Sequence, residues 1–169
     1  VPLNHLFKFT MKSLILIRCP LMRRKKHLGL FRSNHKSLGK MLLTNVESAF
    51  IKNATYIHTS SFSKAQKTAQ LLCDTYSIDH ERMLDINPKI QDLDTEECIQ
   101  LVKQTSQSIE TLVLIAPGVT VSRLYFLLTG QRKVFSTGSA ELVEFPLTDW
   151  SLLNTELCNK EPIEMYNRA

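Results

Sequence analysis

Three short stretches of the chain hold the residue types from which a phosphate site could be assembled. Arg18-Cys19-Pro20 follows the apolar run Ser13 to Ile17. Thr59 to Ala69 carries two adjacent serines, Ser60 and Ser61, and then Lys64. Pro117-Gly118 follows the apolar run Thr111 to Ala116. A guanidinium grips two phosphoryl oxygens as a planar fork, and an ammonium attracts them as a point charge. A thiol such as Cys19 is a nucleophile when ionised, and a neighbouring arginine favours the thiolate. Cys19 reads equally as a small core thiol at the end of a strand. Cys19-Pro20-Leu21-Met22-Arg23-Arg24 is too short and too poor in glycine to cradle a phosphate by itself.

These stretches need elements that bring them together. Ser13–Ile17 and Thr111–Ala116 are continuous apolar runs without polar alternation, as in strands buried on both faces. Ala54 to Thr59 reads as a third strand, with His58 near its end. All three stretches then lie at strand carboxyl ends, where ligands bind in open α/β sheets. A helix from Ser63 to Tyr76 is predicted by the spacing of Ala65, Thr68, Ala69, Leu72 and Cys73, with Ser60 and Ser61 as capping residues. Residues 18–40 read as a long basic loop and 41–52 as a helix.

Met83 to Ile90 reads as an extended piece. Asp94 and Thr95 start a helix predicted over 96–108, whose first-turn acids, Glu96 and Glu97, suit the helix dipole rather than proton transfer. Ser122 to Leu128 is a helix closed by Gly130. Two strands, Lys133–Thr137 and Ala140–Phe145, are expected to form a hairpin around Thr137-Gly138-Ser139. Trp150, Leu152 and Leu153 are expected to pack a terminal segment. Strands alternating with helices imply an α/β architecture.

The chain has 169 residues, enough for one domain with a sizeable core. The expected division is an extension over 1–11, one domain over 12–159 and a polar tail over 160–169. The net charge of +5 hides an asymmetry. Residues 1–46 hold ten of the 21 Lys and Arg and none of the 16 acids. Such a start could attract anions or serve as an organelle-targeting segment, but the strand at 13–17 lies inside it. Arg23 to Lys26 and the loop histidines His27 and His35 read as a solvated surface. Phe31 is the one aromatic residue nearby, which does not favour a single-strand nucleic-acid platform. No apolar run approaches the length of a membrane span. The four cysteines form no C-x-x-C pair, so neither zinc nor a redox motif is indicated, and reduced thiols in a cytoplasmic protein are expected. No cofactor is implied.

In their order and spacing, the three stretches resemble the histidine phosphatase superfamily, specifically its small SixA-type phosphohistidine phosphatase branch. The likeness covers roughly residues 12 to 158. Leu14-Ile15-Leu16-Ile17-Arg18 matches the family's opening strand and its arginine, and Thr59 to Ala69 is the best single match. Trp150 falls where a late tryptophan belongs. The resemblance implies a phosphoglycerate mutase-like fold: a three-layer α/β/α sandwich around a mostly parallel mixed sheet. It also implies a pocket in which two arginines and a second histidine bind a phosphoryl group, while the first histidine attacks it. Against that pattern Arg18 is kept. Cys19 stands at the nucleophilic histidine, Lys64 at the second arginine and Pro117 at the second histidine. The resemblance therefore implies a degenerate enzyme with residual phosphate binding at Arg18 and Lys64. Its partner would be a phosphorylated protein or phosphate-containing ligand. Two alternatives remain: a phosphoesterase using Cys19 or a loop histidine, and a basic anion- or nucleic-acid-binding module. His58 is an additional pocket candidate, weighed against a hydrogen-bonded structural role.

Overall fold

The computed structural model describes residues 11–19, 55–91, 94–136 and 138–155. Expectations for 1–10, the basic loop beyond Cys19, the helix at 41–52, Cys158 and the tail lie outside these residues.

Five strands form one sheet. They are β1 (Lys12–Arg18), β2 (Thr55–Thr59), β3 (Leu84–Ile86), β4 (Thr111–Ala116) and β5 (Ala140–Phe145), in the order β3-β2-β4-β1-β5. β1, β2, β3 and β4 run parallel, and β5 pairs antiparallel with β1. Four described helices accompany them: α1 (Ser63–Tyr76), α2 (His80–Met83), α3 (Thr95–Lys103) and α4 (Gly118–Thr129). The mostly parallel mixed sheet expected from the sequence is the one observed.

The apolar runs are continuous because both sheet faces are covered. Leu14, Leu16, Leu112 and Leu114 pack with residues of α3 and α4 and with Trp150. Ile15, Ile17, Val113 and Ile115 face the opposite way, onto Ala65, Ala69 and Leu72 of α1. This gives three layers with two apolar seams.

Several elements depart from the sequence reading. Residues 133–136 form no strand. β5 is hydrogen-bonded to β1 instead, with Leu14 opposite Val143 and Ile17 opposite Ala140. That pairing places Val143 and Phe145 in one seam and Ala140 in the other. The 133–136 segment instead buries Phe135 in the seam with α3 and α4. The cap of α1 is Phe62, with no side-chain cap bond, so Ser60 and Ser61 are not the capping residues. α4 begins at Gly118, directly after Pro117, four residues before the expected start. α3 ends at Lys103 rather than Ser108. Beyond it Ile109 N–H donates to the Ser106 carbonyl at 3.0 Å. The Ser106 hydroxyl accepts from Ser108 N–H at 3.3 Å, a local bond that competes with helical pairing. Only the middle of the 83–90 segment is extended, since Met83 closes α2 and a 3-10 turn covers Pro88–Gln91. Trp150 and Leu153 are buried, but Leu152 is exposed.

Candidate functional site

The parallel register brings the three stretches to one edge of the sheet. Arg18 lies opposite Ala116, and Thr59 lies opposite Ile115. Two backbone bonds continue the ladder past the strands: Cys19 N–H donates to the Ala116 carbonyl at 2.9 Å, and Ser60 N–H to the Ile115 carbonyl at 3.3 Å. The tips of β1, β2 and β4 therefore adjoin, and α1 and α4 begin close behind them.

The alternation of β1 continues one residue past its end and sends Arg18 and Cys19 to opposite layers. Arg18 leans toward α4. Its guanidinium donates to the Phe135 carbonyl, and its shaft lies against Gly118 so closely that an added Cβ there would sit 2.7 Å from Nε. Gly118 thus allows a close approach of the Arg18 side chain. Arg18 Nε is buried and has no hydrogen-bond partner among the described residues. Cys19 turns to the α1 side, 8% exposed, in the seam with Ala65 and Ala69. Burial raises its thiol above the ordinary value of 9.0, and the positive charge of Lys64 pulls in the other direction. Lys64, in the first turn of α1, is half-buried. Pro117 is the N-cap of α4, with no side-chain cap bond. It has no N–H of its own, and its carbonyl accepts from Val121 N–H at 3.1 Å.

Two groups at this edge escaped sequence reasoning. Ser60 is completely buried, and its Oγ has no partner among the described residues. The sequence signal was ambiguous, because a serine just before a helix is also a capping signal. Gly118 entered the sequence reading only as the residue after Pro117 at the end of an apolar run. Its packing against Arg18 depends on contact between two distant segments, which local spacing does not reveal. Buried donors without partners are rare, and a polar ligand is one way to satisfy them. Among the described residues, no cluster of His, Cys, Asp and Glu could hold a metal ion.

His58 does not belong to this edge. It lies in β2 opposite Leu114 of β4 and Asp85 of β3. Its Nδ1 is 2.9 Å from Asp85 Oδ2, and its ring meets Tyr56 edge-on with centroids 5.0 Å apart. The ring lines a separate cavity of about 420 Å³ together with Tyr56 and residues at the end of α3. Burial lowers its basicity below the ordinary 6.5, and Asp85 opposes that shift.

No protein-family model matches the chain, and no curated protein matches it. Solved structures do. A protein described as a phosphohistidine phosphatase SixA, from Nakamurella multipartitia, superposes with a TM-score of 0.58 at 9% identity, covering 88% of this chain and 90% of that one. The protein histidine phosphatase SixA complexed with tungstate gives 0.57 at 11% identity, covering 78% and 94%. A SixA-described protein from Agrobacterium tumefaciens gives 0.53 at 12%, covering 73% and 79%. At such identities the likeness is one of architecture. Its coverage, the mixed sheet and the adjoining strand tips give one result: this chain shares the α/β/α sandwich fold of these SixA-described structures.

Proposed function

We propose that this chain is a pseudophosphatase, a SixA-type fold that holds a phosphoryl group weakly and does not hydrolyse it. Its role is then interaction or regulation, through binding a phosphorylated protein. The observation that carries this reading is the chemistry at the strand tips. Where the resemblance calls for an attacking imidazole stands Cys19, whose burial keeps it in the poorly nucleophilic thiol form. Where it calls for a second imidazole stands Pro117, which has no donor to offer. Loss of one such transition-state donor lowers a rate by about 10²–10³. Binding is less severely affected. Arg18 keeps a buried N–H without a partner among the described residues, Lys64 keeps a positive charge, and Ser60 adds a buried hydroxyl. The unit responsible is a single domain over 12–159, with 1–11 as an extension and 160–169 as a tail. No helix among the described residues is long and apolar enough to cross a membrane.

Turnover of p-nitrophenyl phosphate and of a phosphohistidine protein is expected to stay at background for the wild type and Cys19→Ser. Tungstate at tenfold its dissociation constant is expected to raise the thermal midpoint by about 3–6 °C, and Arg18→Met to remove the rise. Turnover that Cys19→Ser abolishes would instead establish the thiol-dependent phosphoesterase. The same midpoint with and without saturating oxyanion would show that no phosphate site remains.

A further inference from the structure

α4 differs from an ordinary surface helix. Of its 12 residues only Arg123 is charged, and 117–134 holds no acid. Val121, Leu124, Tyr125 and Leu128 turn inward to the core. The outer side of such a helix is normally charged or polar. Here Val119 is 64% exposed and Phe126 is 42% exposed. Seven residues apart, they share one outward stripe about 10 Å long, with Ser122 and Arg123 between them.

The stripe has a positive border. Arg132 Cζ lies 5.7 Å from the Phe126 ring centroid, which holds a cation over the exposed aromatic face. Arg123 is exposed and enters no ion pair among the described residues. Single exposed apolar side chains are ordinary. Two in line on one helix, bordered by two cations and no nearby acid in the chain, complement an acidic amphipathic surface. A second copy of this chain fits poorly, because a two-fold contact would bring the same arginines together. The stripe also begins at the strand tips: Val119 follows Gly118, against which the Arg18 side chain rests. A phosphoryl group at Arg18 would have the stripe beside it.

We infer that the outer face of α4 docks the partner protein through an acidic amphipathic segment next to its phosphorylated residue. Apolar side chains of that segment cover Val119 and Phe126, and its carboxylates face Arg123 and Arg132. The inference rests on the reading above for the phosphoryl group and on α4 alone for the rest.

Three fluorescein-labelled peptides test it. One is an acidic amphipathic peptide rich in Glu, with Leu at every seventh position and an amino-terminal phosphoserine. The second lacks the phosphate, and the third keeps it but has Lys for every Glu. By anisotropy the acidic phosphopeptide is expected to bind saturably, about tenfold more tightly than its Lys counterpart. Arg123→Glu and Phe126→Ser are each expected to weaken it about tenfold. Both are expected to keep the tungstate rise, which also reports that they fold. Arg18→Met is expected to remove the advantage of phosphorylation and to leave the dependence on Arg123 and Phe126. Absence of saturable binding would overturn the inference. So would equal binding of the acidic and Lys peptides, or wild-type affinity in both α4 variants. Dimerisation of the protein alone in sedimentation, lost in Phe126→Ser, would assign the stripe to a second copy and equally overturn it. If phosphorylation gives no advantage while Arg123 and Phe126 are still required, the phosphate reading fails and the docking face stands.

Discussion

Arg18, on which the proposed strand-tip site depends, is held more tightly than its place in the sequence suggests. Its guanidinium is anchored to the Phe135 carbonyl and its shaft rests on Gly118. A methyl group at position 118 would lie 3.1 Å from Arg18 Cδ and Cζ and closer still to Nε. The side chain cannot swing away without losing its carbonyl partner. Gly118→Ala is therefore expected to leave the fold intact and to lower stability by about 1–3 kcal/mol in urea titrations. It is also expected to weaken the tungstate response by displacing Arg18. Arg18 itself was legible as the charge that ends an apolar run. Its anchor was not, because Phe135 lies in an irregular segment and contributes a backbone atom, which leaves no mark in residue type. Cys19 shows the same limit. Its identity left nucleophile and core thiol open, and only its placement in the α1 seam favours the core reading.

Elements were most legible where local chemistry specifies their ends. Asp94 and Glu97 form a reciprocal capping box at α3: Glu97 N–H donates to Asp94 Oδ1 at 2.8 Å, and Asp94 N–H to Glu97 Oε2 at 2.9 Å. The pattern of an acid followed three residues later by glutamate was visible in the sequence. Asp94→Ala is expected to cost about 1 kcal/mol, measured as a reduced urea midpoint with an unchanged slope. α1 was likewise readable from its apolar face, and Gly130 closes α4 at φ 70°, as its residue type suggests. The failures share a different cause. β5 has the composition of a hairpin partner, but the partner is chosen by long-range pairing with β1, and no local pattern names it. α4 starts early because a proline can sit just before a helix as readily as it can end a strand.

At the scale of the whole molecule, the α/β sandwich was legible because its two buried runs are too apolar for a sheet with one wet face. One consequence for stability follows from His58. Its folded-state basicity lies below the ordinary 6.5, so above that pH both states are neutral and the group has no effect. As pH falls through 6.5 the unfolded chain takes up a proton that the folded protein resists, and stability declines until the folded ring is protonated as well. The thermal midpoint is expected to fall between about pH 7 and pH 5, and His58→Gln to flatten that slope. Scanning calorimetry at several pH values checks both. The sheet itself is bounded by β3, only three residues long, and by β5, whose sequence includes Glu141 and Glu144. A stub and an acidic ribbon are poor templates for another chain's backbone, so both margins guard against fibre-like stacking between copies.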